Sequence, residues 1–255
     1  MSDQLEPVEQ TQDVKPERLQ KLLANAGLAS RRLVENMITD KRIHVNGELA
    51  ILGTKATSTD IITLDGQPVI LKSEIHTYLL NKPLDVISTA ADEHGRQTVV
   101  DLIESSERLF PIGRLDAQTT GLIFVSNDGD LTYRLTHPKF GVEKKYVARV
   151  EGHIHENDVE KLRIGVELDD GITAPAQVRV LARKPEQSLL EIIIHEGRNR
   201  QIRRMAQAVG HTVMSLHRSQ IGPIADPGLS PGQYRELTVA EVHSLYSAAS
   251  RDESS

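Results

Sequence analysis

The sequence of 255 residues contains no cysteine, no tryptophan and only a few other aromatic residues. The absence of cysteine excludes disulfide bridges, thiolate catalysis and cysteine-ligated zinc or iron–sulfur sites. No apolar run approaches the roughly 18 residues that a membrane-spanning helix requires, and the acidic, polar start of the chain is the reverse of a secretory signal. The ten histidines show no HExxH spacing, so no metal site is predicted. Together these absences favour a cytoplasmic protein that does not bind membranes.

Charge is distributed unevenly along the chain. The formal net charge is −6, but residues 1–14 carry four acids and no base, and residues 249–255 carry two acids and one arginine. The remaining body is close to neutral, with a net charge of −1. Within it, residues 197–221 contain five arginines and no acid. Such a patch indicates a phosphate-binding surface. The alternative, a solvated helix face, usually mixes charges of both signs.

Composition and periodicity predict two folded regions. We expect disordered tails at 1–15 and 249–255, a compact helix–helix–hairpin unit at 16–70, a linker at 71–76 and an α+β domain at 77–248. The second region is rich in strand-like apolar runs and lacks the regular strand–helix alternation of a doubly wound fold. We therefore predict a mixed, mainly antiparallel β-sheet with flanking helices.

Several local signals support this division. In the first region, apolar residues recur at helical spacing over 19–26, Ser30 can cap a second helix, and Asn46-Gly47 and Asp65-Gly66 are typical of tight hairpin turns. In the second region, helical periodicity is found in five places: 97–104, 128–136, 155–164, 199–209 and 239–248.

Three stretches of the second region contain residue types suited to chemistry. The first is GRLD, in which Asp116 precedes the buried-looking run GLIFVS. The second is EKKYVARV, with Tyr146 in a strand, and the third is EGRNRQIRRM, with Arg203 at the edge of a helical apolar stripe. Each has an ordinary structural explanation: a loop aspartate is usually a turn former, a strand tyrosine is often core, and a basic helix can simply face solvent.

Taken together and in this order, GRLD…TTGL…SNDG, the Lys-Tyr strand and EGRNRQIRRM resemble the RsuA/RluB branch of the pseudouridine synthases. Upstream, RLQKLLANAGLASRR…RIHVNG resembles the αL RNA-binding domain, which also occurs in a small-subunit ribosomal protein. The resemblance covers about residues 16–240. Its motifs ASRR and RNRQIRRM are closer in sequence to those of the large-subunit enzymes than to those of the small-subunit enzyme. It implies isomerisation of a uridine in ribosomal RNA, with 23S rRNA or a large-subunit assembly intermediate as partner. The reaction involves no net redox change, so no cofactor is expected.

The resemblance also implies roles for individual residues. Asp116 matches the aspartate that attacks the uridine covalently, at the base or at the anomeric carbon. Tyr146 matches the aromatic residue that stacks on the extruded uracil and assists proton removal, and Arg203 matches the basic partner of the aspartate. A bidentate Arg203–Asp116 pair would keep a buried carboxylate ionised. RNA contacts are predicted for a group of basic residues in both regions: Arg114, Arg198, Arg200, Arg204, Lys21, Arg31, Arg32, Lys41 and Arg42.

Two other functions compete with this interpretation. The first is a non-catalytic RNA-binding assembly factor derived from a synthase, although such a protein is expected to have lost one of the three matched residues. The second is a hydrolase that pairs Asp116 with Asp128 or Asp130, but the NDGD wording is more typical of a turn and helix cap. Nothing in the sequence calls for a partner subunit, so a monomer is expected.

Overall fold

A computed structural model describes residues 15–71 and 74–250 of the chain. They form two compact units that divide between Glu74 and Ile75. The predicted tails lie almost wholly outside the described residues, but Ala249, which was assigned to the second tail, is fully buried. Within the described ranges, no helix is both long and apolar enough to cross a membrane.

The first unit contains two helices and six short strands. They are β1 (Glu17–Arg18), α1 (Leu19–Asn25), α2 (Arg31–Thr39), β2 (Ile43–Val45), β3 (Glu48–Leu49), β4 (Lys55–Ala56), β5 (Ile62–Leu64) and β6 (Gln67–Pro68). Four of the strands form a sheet in the order β3-β2-β5-β6, and β1 pairs with β4. The helices and the sheet share one apolar core.

The local signals of this unit act as expected. The Ser30 Oγ accepts a hydrogen bond from the Leu33 amide at 3.2 Å, which satisfies one of the free donors at the start of α2. Asn46 and Gly47 both have positive φ, 51° and 85°, and so do Asp65 and Gly66, at 51° and 80°. These turns twist in the sense that tight hairpins require, which explains the Asn-Gly and Asp-Gly pairs.

The second unit contains the remaining elements. They are β7 (Thr77–Lys82), β8 (Phe110–Ile112), β9 (Thr120–Ser126), α3 (Gly129–Thr136), a 3₁₀ turn (Pro138–Phe140), β10 (Lys144–Glu151), α4 (Glu156–Ile164), β11 (Glu167–Leu168), β12 (Gly171–Ile172), β13 (Gln177–Arg183), β14 (Gln187–Ile194), α5 (Gln201–Ala208), β15 (Val213–Ile221), β16 (Ile224–Ala225), β17 (Tyr234–Glu236) and α6 (Val239–Ala248).

One large sheet organises this unit. Its main strands follow the order β13-β14-β10-β15-β9-β7-β17, with β8 paired to β9 and β16 paired to β15. Neighbouring strands of the described sheet are antiparallel except at the β15–β9 junction, which is parallel. The predicted class, a small helical domain followed by a mixed and mainly antiparallel sheet domain, is confirmed.

Strand β9 is buried on both faces of the sheet. Ile123 and Val125 belong to the core shared with α4 and α5, whereas Leu122 and Phe124 belong to the core shared with α3 and α6. A strand covered on both faces reads as a continuous apolar run rather than an alternating one. This burial explains the run GLIFVS after the Asp116 loop.

Two predicted elements of the second unit are wrong. Residues 97–104 form bends and turns instead of a helix, because their start is drawn into a bridge with Ile87: the Ile87 amide donates to the Gln97 carbonyl at 3.0 Å, and the Val99 amide donates to the Ile87 carbonyl at 2.9 Å. The run DVIST (85–89), one of the strand-like runs expected to form strands in this region, contributes only an isolated bridge between Ile87 and Thr98.

The parallel junction depends on a glycine. Gly121 lies opposite Arg218 with φ at +108°, and a Cβ atom there would be 2.3 Å from the Arg218 carbonyl oxygen and 2.5 Å from its amide nitrogen. Backbone atoms cannot move aside as a flexible side chain can. Glycine at this position of the TTGL motif therefore allows β9 and β15 to approach each other.

We expect Gly121→Ala to lower the free energy of unfolding by about 3 kcal/mol, because it adds a backbone clash to an unfavourable φ. Gly152→Ala is the matched control: it has a φ of +76° and no atom within 4 Å of the added Cβ, so it should cost only about 1 kcal/mol. Chemical denaturation of both variants measures the difference. Equal losses would show that the close approach to Arg218 does not matter.

Candidate active site

A cavity of about 430 Å³ lies in the second unit. Its wall is formed by the loop from β8 to β9, the first part of β10, the loop that leads into α5, and the second half of β15. Two of the three predicted catalytic residues, Asp116 and Tyr146, line it. Segments that are more than 100 residues apart in the chain therefore meet at one site.

The loop that carries Asp116 is held by its backbone. The Leu115 amide donates to the Ser88 Oγ at 3.1 Å, and the Ser88 hydroxyl donates to the Leu115 carbonyl at 2.9 Å. On the other side, the Thr119 amide donates to the Asp116 carbonyl at 2.9 Å. Ser88, Leu115 and Thr119 are all buried, so the position of Asp116 is fixed without a bond to its carboxylate.

Lys82, at the end of β7, contacts the same loop. Its side chain is fully buried, and its ammonium donates to the Pro83 carbonyl at 2.8 Å and, more weakly, to the Ala117 carbonyl at 3.4 Å. Burial lowers the pKa of Lys82 to about 8, against the opposing effect of Asp85 and Asp116. A buried cation thus lies beside the loop of the predicted nucleophile.

Arg203 does not form the expected bidentate pair with Asp116. Its Nη2 donates to the Gln118 carbonyl at 2.8 Å and its Nη1 to the Val213 carbonyl at 3.0 Å. Burial, with a contribution from Arg200, lowers the pKa of the guanidinium, and Asp116 partly offsets this. Arg203 therefore ties α5 to the Asp116 loop and acts on the carboxylate through space: its Nη1 and Nη2 donate to backbone oxygens, and its buried Nε has no hydrogen-bond partner among the described residues.

Tyr146 and Arg218 are neighbours across the pairing of β10 with β15. Both are buried and line the cavity. Arg218 donates from Nε to the Leu122 carbonyl at 2.7 Å and from Nη1 to the Tyr146 hydroxyl at 3.5 Å. Its guanidinium carbon lies 6.0 Å from the centre of the Tyr146 ring. The tyrosine ring is thus held against a buried cation.

Two arginines of the predicted basic patch are committed to structure. Arg198 donates to the Glu196 carboxylate at 3.1 Å and to the Ile172 carbonyl at 2.6 Å, and Arg204 donates to the Asp170 carboxylate at 3.1 Å. These partners lie outside the arginine-rich α5 segment in the sequence. Arg198 and Arg204 hold the β11–β12 hairpin and the loop before α5 in place. The structure therefore does not support the prediction that these two arginines bind RNA phosphates.

The remaining cations of the cavity lie at different depths. Arg114 and Arg200 are exposed and line its edge, and Arg200 occupies the N-cap of α5 with a positive φ of 48°. Lys144 is partly buried, and burial together with Arg218 lowers its pKa to about 8. The cavity is therefore positively charged from its exposed edge to its buried wall, as a site for an RNA nucleotide requires.

The acids of the hydrolase alternative lie elsewhere. The Asp128 carboxylate caps α3 by accepting from the Asp130 and Leu131 amides at 2.9 and 3.0 Å, and it also accepts from the Tyr246 hydroxyl at 2.7 Å. Asp130 pairs with Arg134 one helical turn further on. Neither acid lines the cavity with Asp116, so the pairing of Asp116 with Asp128 or Asp130 is excluded.

The predicted RNA contacts of the first unit fall into two groups. Lys21 pairs with Glu17 at 2.9 Å, and the Arg42 Nε donates to Asp65 at 3.0 Å. Arg31, Arg32 and Lys41 are exposed and, within the described part of the chain, take part in no salt bridge. The second group remains available for a phosphate backbone.

Comparison with protein-family models identifies both units. Residues 76–208 match the model described as RNA pseudouridylate synthase, and residues 17–62 match the S4 domain model.

The chain belongs to the RNA pseudouridylate synthase family.

Relatives with names support this assignment over most of the chain. The ribosomal large subunit pseudouridine synthase B of Bacillus subtilis is 43% identical over 91% of this chain and 97% of its own length. The enzyme of that name from Pseudomonas aeruginosa is 36% identical over 90% of this chain and 61% of its own length. A solved pseudouridylate synthase structure matches with a TM-score of 0.66 and 29% identity, over 89% of this chain and 99% of that one. The protein is an RNA pseudouridine synthase, an isomerase.

Sequence reasoning missed three basic residues of the site: Lys82, Lys144 and Arg218. Lys82 directly follows TYLLN (77–81), one of the strand-like runs of the second region, and Lys144 begins the strand that contains Tyr146. Arg218 was counted in the basic patch but given no role of its own. The sequence signal that could have found such residues is a lysine or arginine within or next to an apolar strand. A charged side chain is rarely buried there unless a partner or a function compensates its charge.

The lowered pKa of Lys82 predicts a pH-dependent stability. Between about pH 8 and 10.5, the unfolded chain keeps the lysine proton that the folded protein has lost, so stability rises with pH in this window. Relative to Lys82→Met, the wild type should gain up to about 1.4 kcal/mol per pH unit there. Chemical denaturation of both proteins between pH 7 and 10.5 measures the gain. A difference that does not change with pH would show that the ammonium is not desolvated.

Proposed function

We propose that this protein converts a uridine of large-subunit ribosomal RNA to pseudouridine, with Asp116 as the nucleophile, Tyr146 as the base-stacking residue and Arg203 as a positioning residue. The observation that carries the proposal is one cavity in which Asp116 and Tyr146 meet beneath a positively charged edge. The substrate class is supported by the 43% identical relative named as a large-subunit enzyme. The RNA would be 23S rRNA, either free or in an assembly intermediate.

The geometry of Asp116 suits a nucleophile. Its carboxylate has no ion pair among the described side chains, and its loop is held by backbone hydrogen bonds instead. Lys82 and Arg203 supply positive charge from nearby without binding the carboxylate oxygens. The carboxylate can therefore present a free oxygen to the sugar or the base with positive charge close by.

Tyr146 provides the surface that an extruded base needs. An enzyme that rearranges a base in structured RNA must first remove it from its stack. Stacking on an aromatic ring offsets this loss by roughly 1–3 kcal/mol per base. The ring is 8% exposed and lines the cavity, so it can receive a base without moving.

The setting of the reaction follows from the substrate and the site. An rRNA substrate places the protein in the cytoplasm. All residues that line the cavity come from the second unit of a single chain, which supports action as a monomer.

Asp116→Asn tests the nucleophile. The substitution keeps the size of the side chain and removes its negative charge, so single-turnover formation of pseudouridine in large-subunit rRNA should fall by at least about 10⁴-fold. RNA affinity should stay within about threefold of the wild type, because a neutral amide removes no contact to phosphate.

Asp130→Asn is the control, since Asp130 lies outside the cavity and should leave the rate unchanged. Turnover by Asp116→Asn within tenfold of the wild type would sink the assignment. A wild-type protein that binds rRNA but forms no pseudouridine would favour the non-catalytic assembly factor.

The first unit is proposed to dock on RNA through Arg31, Arg32 and Lys41. The double substitution Arg31→Glu/Arg32→Glu should weaken rRNA binding by at least about tenfold, and each lost phosphate contact should lower the slope of log affinity against log salt by about 1. Lys55→Glu, an exposed change in β4 of the same unit, should have a smaller effect than either single substitution, Arg31→Glu or Arg32→Glu, although each of the three changes the net charge by the same two units. Filter binding at several salt concentrations distinguishes the two. Equal effects would mean that only net charge matters.

A further inference from the structure

Arg218 has an unusual environment for a charged side chain. It is 4% exposed, it lies inside β15, and among the described residues no acid forms a salt bridge with it. Its Nε and Nη1 have partners, but its Nη2 is buried and has no hydrogen-bond partner in the protein. A buried guanidinium with an unused donor is costly unless a ligand completes it.

The unused donors concentrate at the cavity. Two of the five buried side-chain atoms without a partner in the described part of the chain, Arg218 Nη2 and Thr119 Oγ1, belong to residues that line it. Arg218 also borders the Tyr146 ring, with its guanidinium carbon 6.0 Å from the ring centre. A ligand that stacks on Tyr146 would therefore bring its polar edge to Arg218.

Depth in the cavity distinguishes a base from a phosphate. The exposed cations, Arg114 and Arg200, line the same cavity as the buried Arg218. A flipped nucleotide enters base first, and its phosphates stay outside because the RNA strand must continue on both sides. Phosphates would therefore meet Arg114 and Arg200, whereas the buried guanidinium would meet the base.

We propose that Arg218 is a catalytic residue that donates a hydrogen bond from Nη2 to a carbonyl oxygen of the flipped uracil and stabilises the negative charge that builds up on the ring. This role rests on the proposed function of the cavity. Neither sequence reasoning nor the resemblance assigned it.

The isomerisation creates the need for such a group. The Asp116 oxygen bonds to C1′ as the bond between C1′ and N1 breaks. The electron pair of the broken bond leaves with the ring, and the charge is shared by the carbonyl oxygens. The ring then turns, C5 bonds to C1′, and the bond between C1′ and the Asp116 oxygen returns its electron pair to the carboxylate. Finally C5 loses its proton and N1 gains one, so atoms and electrons balance. Preorganised donors at developing oxyanions are typically among the larger contributions to catalysis.

A comparison of two substrates tests the proposal. Fluorine at C5 withdraws electrons, so 5-fluorouracil carries the developing charge with less help than uracil. We expect Arg218→Met to lower the single-turnover rate of N1–C1′ bond cleavage by about 100-fold on rRNA that contains uridine. On the same RNA with 5-fluorouridine at the target, the loss should be at least several-fold smaller. Arg218→Lys keeps the positive charge but loses the planar guanidinium group with its several donors. Its cleavage rate should therefore fall between those of Arg218→Met and the wild type.

The extent of reaction is measured by digesting the RNA and separating its nucleosides by chromatography. Thermal melting of each variant checks that it is folded. Arg149→Met is the control, because it removes an exposed arginine of β10, the strand that carries Tyr146, and should match the wild type on both substrates. If Arg218→Met does not fold, the Arg218→Lys variant gives the same comparison.

Equal losses on the two substrates, or a rate close to that of the wild type, would overturn the role of Arg218. If the wild type itself cleaves neither substrate, the proposed function fails instead. An active wild type with an inactive Asp116→Asn and unaffected Arg218 variants would overturn only the inference about Arg218.

Discussion

The close approach of β9 and β15 at Gly121 and Arg218 is the contact on which the site depends. The β15–β9 junction joins the β10 side of the sheet, which carries Tyr146, to the side that contains β9 and the Asp116 loop before it. A side chain at Gly121 would collide with backbone atoms of Arg218 and separate the two sides. Because Arg218 also bonds to the Leu122 carbonyl, the same contact fixes the buried cation. The spacing of the sheet and the geometry of the cavity are therefore set by one glycine.

A carboxylate that acts as a nucleophile must be ionised, and its oxygens must not be occupied by hydrogen-bond partners. These two requirements conflict. A direct bidentate arginine would keep it ionised but would occupy the oxygens that must react. Here the cations bind backbone carbonyls beside it: Lys82 contacts the Ala117 carbonyl and Arg203 the Gln118 carbonyl. They hold the loop and contribute positive potential at the same time. The weaker through-space interaction leaves the Asp116 oxygens open to a substrate, which the pair expected from sequence would not have done.

The sequence predicted structural features that are determined within a few residues. It missed those that depend on partners farther away in the chain. The Ser30 cap and the Asn46-Gly47 turn are encoded within a few residues, so pattern alone located them. Residues 97–104 look helical by spacing, but the Gln97 carbonyl and the Val99 amide are bonded to Ile87, which lies outside the segment. Arg198 and Arg204 appeared to lack acids because residues 197–221 contain none, although Glu196, the partner of Arg198, directly precedes this stretch. Asp170, which the fold brings to Arg204, could not be found without the tertiary structure.

The positive charge of the cavity is divided by depth, and this division has physical consequences that net charge does not show. Exposed groups such as Arg114 and Arg200 interact through water and are screened within about 8–10 Å at physiological salt. A buried group such as Arg218 is screened much less, so its effect on a bound base persists when added salt has weakened the capture of RNA. In the proposed mechanism, binding and chemistry are thereby carried by different cations of one patch. A protein with a net charge of −6 can thus hold RNA and still stabilise charge on a base, because the field that matters is local.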